Sequence, residues 1–109
     1  MQEVESKEPV RRRADRALSD AKTFRPKQRA DVRSRRIDGE TVVLDRREEF
    51  IHQFNRTASY IWEHCDGRHT TEEISSALCA EFEVDFPTAE KDVLFTVEQL
   101  RRAKLLAEP

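Results

Sequence analysis

The side chains best suited to chemistry in this chain are three histidines and two cysteines: His52, His64, Cys65, His69 and Cys79. Imidazole and thiolate are the common ligands of zinc, and the common base and nucleophile of covalent catalysis. Their spacing argues against both uses. His64 and Cys65 are sequence neighbours and point differently on a helix, while Cys79 lies off the apolar face of another helix. No pair has the separation of a structural zinc site, so no metal is expected. A catalytic thiol also needs a base and a third group that orients it. Cys65 with His64 or His69 is the only set available, and Cys65 shares an apolar helical stripe with Trp62. It reads as packing. No catalytic residue and no cofactor are expected, and nothing in the chain looks like an active site.

The elements around these residues are easier to place. At 109 residues the chain is long enough for one domain and too short for two. Charged residues make up 39% and apolar residues 37%, so the core is compact and does not use the whole chain. No apolar run is long enough to cross a membrane, and the start lacks the apolar stretch of a secretory signal. Two cysteines without a disulfide framework fit a reducing compartment. These features together predict a cytoplasmic protein. The net charge of −2 conceals a division: residues 1–36 hold 12 Lys/Arg against 6 Asp/Glu, and residues 37–109 hold 8 against 16.

Residues 1–30 carry the run Arg11-Arg12-Arg13 and only scattered apolar side chains, among them Val4, Val10, Leu18 and Phe24. Such a segment buries too little surface to offset its ordering entropy, so it reads as a mobile arm, with a transient helix over residues 10–22. A basic arm is also suited to nucleic acid or an acidic partner. The folded domain is expected over residues 31–109.

Within it, Val32 to Ile37 alternates weakly and Asp38-Gly39 is a strong hairpin signal. Thr41 to Leu44 is β-branched and apolar, a second strand. A polar connection, Asp45 to Glu49, leads to a third strand, Phe50 to Phe54. Asn55 then caps a first helix whose apolar stripe is Ala58, Ile61, Trp62 and Cys65, closed at Asp66-Gly67. Thr70 and Glu73 form a capping box for a second helix that buries Ile74, Ala77, Leu78 and Phe82. A third starts near Asp85-Phe86-Pro87, buries Ala89, Val93, Val97 and Leu100, and runs towards Leu105. The fold class is α+β and winged-helix-like: three short antiparallel strands followed by three helices.

The third strand runs directly into a helix, which leaves Phe50, Ile51, His52, Gln53 and Phe54 as a sheet edge with free N–H and C=O groups. An extended peptide pairs with such an edge through its backbone, while side-chain pockets supply specificity. On the third helix, Leu94, Glu98, Arg101 and Leu105 lie together just off the buried stripe, and with Val97 they supply a mixed apolar and charged strip for that peptide. The competing reading of the strip is an ordinary solvated flank.

A set of ordered motifs resembles the PqqD family, named for a small protein of pyrroloquinoline-quinone biosynthesis. The motifs are Val42-Val43-Leu44-Asp45, then Phe54-Asn55-x-Thr57-Ala58-x-x-Ile61-Trp62, then Asp66-Gly67-x-x-Thr70-x-Glu72-Glu73-Ile74. Phe82-x-Val84-Asp85 follows, then Asp92-Val93, Leu100 and Leu105-Leu106. They span Val32 to Leu106, about two-thirds of the chain. Two departures, the stretch Phe50-Ile51-His52-Gln53-Phe54 and Ala103-Lys104 before the last leucines, argue against the quinone precursor as the partner. The resemblance implies a binding module and not an enzyme: it holds the leader of a ribosomally made precursor peptide and presents it to a modifying enzyme, often a radical S-adenosylmethionine protein. It also implies that the leader adds as a strand beside the third strand and against the third helix.

The alternative from fold alone is a winged-helix DNA-binding regulator. Against it, the second helix carries Glu72, Glu73, Glu81 and Glu83 and no Lys or Arg, whereas phosphate contact needs positive charge at the docking face. A toxin–antitoxin or other protein-interaction role is a further alternative. An exposed edge and a loose arm are compatible with a monomer or a domain-swapped dimer.

Overall fold

Hairpin chemistry sets the sheet. In the computed structural model, which describes residues 24–107, Asp38 and Gly39 take φ of 54° and 83°, the two positive values a type I′ turn requires. The turn joins β1 (Arg33–Ile37) to β2 (Glu40–Asp45), and β3 (Phe50–Phe54) follows, giving an antiparallel sheet in the order β1-β2-β3. Register pairs Arg33 with Leu44, Arg35 with Val42, Leu44 with Ile51 and Thr41 with Phe54. Directly opposed residues share a face. Thr41, Val43 and Asp45 therefore face the helices together with His52 and Phe54, while Val42, Leu44, Ile51 and Gln53 face away. Burial follows the same alternation: the first three are buried, and Val42 and Leu44 are half-buried.

Each helix starts at the cap its sequence predicts. For α1 (Arg56–Glu63), the Asn55 side chain accepts from the Ala58 N–H at 2.8 Å. For α2 (Thr71–Phe82), Thr70 and Glu73 close a full capping box. For α3 (Phe86–Arg102), Asp85 accepts from the Thr88 N–H at 3.0 Å, with Pro87 in the first turn. Only α1 is shorter than its apolar stripe, ending at Glu63 while Cys65 remains in the core. The chain reverses at Gly67, whose φ of 81° suits glycine and whose missing Cβ leaves room for the Lys27 side chain. The core joins Val43 of the sheet to Ile61, Trp62, Ile74, Leu78, Val93, Val97 and Leu100 of the helices, closed by Leu105 and Leu106. Ala58, Ala77 and Phe82 are half-buried at its margin. This is the α+β, three-strand, three-helix architecture expected from the sequence.

Where the sequence suggests an arm reaching to residue 30, the structure packs residues 24–30 onto the domain. Pro26 is fully buried, and Gln28 donates its backbone N–H to the Cys65 carbonyl at 2.9 Å and its side chain to the Trp62 carbonyl at 2.7 Å. Arg29 is buried and forms a fork on Asp45, with Nη2 to Oδ1 at 2.6 Å and Nη1 to Oδ2 at 3.0 Å. It also donates to Asp31 at 2.6 Å and to the Lys104 carbonyl at 2.7 Å. Composition hides this, because one satisfied arginine and one proline anchor the segment instead of an apolar stripe. Residues 1–23, with the arginine run and the suggested transient helix, lie outside the described residues.

Candidate functional site

β3 is built from aromatic and branched side chains that favour extended backbone. It bonds to β2 on one side, and no strand among the described residues occupies its other side. It contains no Asp, Glu, Lys or Arg. Phe50 and Ile51 are 58% and 64% exposed, unusual for apolar side chains at a sheet edge. On the helix-facing side the rings of Phe50 and His52 stand 4.8 Å apart, those of His52 and Phe54 6.4 Å, and Phe54 meets Trp62 edge-on at 5.6 Å. A row of rings therefore runs from the solvent end of the strand to the core.

At the buried end of that row a groove of about 340 Å³ opens between the β3–α1 junction and α3. Its apolar lining is Phe54, Ala58, Phe95 and Leu100. Asn55, Thr57, Asp92, Thr96 and Gln99 supply the polar part. Phe95 is 65% exposed although aromatic. Asp92, Phe95, Thr96 and Gln99 form one flank of α3, since a helix turns by about 100° per residue.

The expected helix strip lies elsewhere. Leu94, Glu98 and Arg101 occupy the other flank of the buried Ala89–Val93–Val97–Leu100 stripe, away from the groove lining. Glu98 is held by Arg101 at 2.7 Å and Arg102 at 2.8 Å, and these guanidinium groups bring its carboxyl down to about 2. Val97 is packed into the core at 7% exposure, and Leu105 is fully buried beyond the helix end. Of the residues named from sequence, Phe54 reaches the groove and Phe50 to Gln53 form the edge leading to it. Phe95 was missed. Its signal in the sequence is an aromatic residue on the otherwise polar side of the α3 wheel.

Three of the five reactive side chains have hydrogen-bond partners. Cys65 is buried, its thiol donates to the Ile61 carbonyl at 3.3 Å, and burial pushes its pKa up to about 12. A thiol in that state is a packing group and not a nucleophile. His64 Nδ1 lies 2.8 Å from the Tyr60 carbonyl and His69 Nδ1 3.0 Å from Asp66. Among the described residues no group of three or more His, Cys, Asp and Glu is placed to hold a metal ion, and no helix is long and apolar enough to cross a membrane.

Comparison with known proteins adds to this geometry. No curated protein matches the chain. Two solved structures are similar to it. One is TbiB1 in complex with the TbiA(beta) leader peptide, 32% identical with a TM-score of 0.69, the match covering 76% of this chain and 96% of that one. Another is a lasso peptide synthetase B1 complexed with the leader peptide, 25% identical with a TM-score of 0.68, covering 77% of this chain and 99% of that one. The family model for coenzyme PQQ synthesis protein D (PqqD) matches residues 40–106. With that model spanning more than half of its length, the chain belongs to the PqqD family.

Proposed function

We propose that this protein binds the leader segment of a ribosomally made precursor peptide as an added strand along β3, and holds the precursor for a modifying enzyme. The observation that carries the reading is the open edge of β3, free of Asp, Glu, Lys and Arg, running into the groove between Phe54 and Phe95. Backbone groups on that edge supply affinity that does not depend on the leader's side chains, and the groove selects an apolar leader side chain. The two similar structures, both complexes with leader peptides, support leader binding as the role. Leu94, Glu98 and Arg101 contribute to leader binding only at the margin, because they stand on the far flank of α3. A radical S-adenosylmethionine enzyme is the proposed recipient and the cytoplasm the proposed site of action, where Cys65 and Cys79 remain as free thiols.

No observation favours duplex DNA. Glu72, Glu73 and Glu81 remain exposed on α2 and the helix bears no cation.

The test is calorimetric titration of the full chain with the leader of a precursor gene adjoining its own, beside the same leader N-methylated at alternate residues. Strand addition predicts that methylation in one of the two alternating registers weakens binding by about tenfold or more, since edge amides lose their partners. Equal affinity for all three peptides would overturn the reading.

A further inference from the structure

The sheet has a second side, turned away from the groove that receives the leader. On the face turned away from the helices, β1 contributes Arg33, Arg35 and Ile37, and β2 and β3 contribute Val42, Leu44 and Ile51. Ile37 is 54% exposed, Ile51 projects into solvent, and Val42 and Leu44 are only half-covered. Glu40, opposite Ile37, is the one acidic side chain on these strands that shares the face. Arg33 and Arg35 take part in no ion pair among the described residues. Arg36, whose side chain projects to the other face, is paired with Glu63. An apolar centre with two uncompensated guanidinium groups along one border has the composition of an interface and not of an ordinary solvated sheet.

We propose that this outer face of the sheet docks the modifying enzyme, through a surface on that enzyme carrying carboxylates beside apolar side chains. The inference rests on the leader-binding reading, because a presented leader calls for a second, separate surface to hold the recipient. Charge decides among occupants. A second copy docking by the same face would bring Arg33 and Arg35 against their own equivalents, which like-charge repulsion opposes. Nucleic acid would meet two arginines and a row of aliphatic side chains, too few cations for phosphate-driven affinity. An acidic and apolar protein surface satisfies both halves of the patch. Because the groove opens on the helix side of β3, leader and enzyme occupy opposite sides of one sheet.

The test compares the full chain with the double variant Arg33→Glu/Arg35→Glu and with Arg68→Glu, which makes the same kind of charge change in the loop after α1. Each is loaded with leader and titrated with the purified enzyme that modifies the corresponding precursor. The outer-face variant should bind enzyme about tenfold or more weakly, turn over full-length precursor correspondingly slowly, and keep wild-type leader affinity. Arg68→Glu should leave enzyme affinity within about twofold. Unchanged enzyme affinity in the double variant would overturn the proposal. So would loss of leader affinity in equal measure, or binding of a DNA duplex or a second copy that the same substitutions abolish. If no chain binds leader, the functional reading itself fails, and the leader titration reports that separately.

Discussion

β1 and β3 border the same sheet. Each is five residues long and each pairs with β2 on one side only. Their side chains differ completely. β1 reads Arg-Ser-Arg-Arg-Ile, and its cations discourage another strand from approaching, which is how natural proteins blunt an edge. β3 reads Phe-Ile-His-Gln-Phe and has no such protection. It ends at a groove, whereas β1 ends in the hairpin turn. On the proposed function the β3 edge serves backbone pairing, and on the further proposal β1 approaches a partner through its arginine side chains. An aggregation-prone edge would then be kept where a ligand strand has a use for it.

The largest expected effect removes both edges at once. Asp45, at the end of β2, is fully shielded and accepts from Arg29 as well as from the Arg47 and Glu48 N–H groups at 3.1 and 3.2 Å. Hydrogen bonds from Arg29 hold the Asp45 and Asp31 carboxyls below their ordinary range. A depressed carboxyl contributes stability that is present above the unfolded value, about 3.9, and lost as pH falls through the folded one. Asp45→Ala should therefore lower the melting temperature at neutral pH more than any other change discussed. In Asp45→Asn the acid-dependent part of the melting curve should flatten. Thermal melts from neutral pH to about pH 2 check both.

Next in size is Phe95→Ala, which should weaken leader binding by about 2 kcal/mol, roughly thirtyfold, as for an aromatic anchor. Its melting temperature should hardly move, because the ring is exposed. Calorimetry and a melt on one preparation separate the two effects. A smaller change follows from making β3 resemble β1: Ile51→Lys with Gln53→Lys should cost about 1 kcal/mol in leader affinity. The reverse exchange, Arg33→Ile with Arg35→Gln, should expose a second adhesive edge and appear as concentration-dependent self-association in sedimentation. Smallest is Leu94→Ala, expected within about 0.5 kcal/mol of wild type for both stability and leader affinity. A larger loss of affinity would move the site to the other flank of α3.

Most of the fold was legible because local signals agreed with the global arrangement. Asp38-Gly39, Asn55, the Thr70–Glu73 box and Asp85 each mark a turn or cap through short-range hydrogen bonding, and all stand where their chemistry predicts. The β3 edge was legible for a related reason: a strand that runs straight into a helix has no hairpin partner on its second side. Three features depend on distant parts of the chain. Arg29 meets Asp45 and Lys104 across separations that composition does not encode, so Phe24 to Ala30 resembles a tail. The choice between the flanks of α3 depends on how that helix leans toward the β3–α1 junction. A wheel identifies both flanks and gives no reason to choose Phe95 over Leu94. Val97, read as both core and contact, packs in the core at 7% exposure.

Hydrogen exchange at the backbone amides tests the central claim most directly. With leader bound, alternate amides of Phe50–Phe54 should become protected, because each takes a partner on the added strand, while those of Arg33–Ile37 exchange as before. Protection confined to β1, or leader binding that leaves β3 exchange unchanged, would contradict the account.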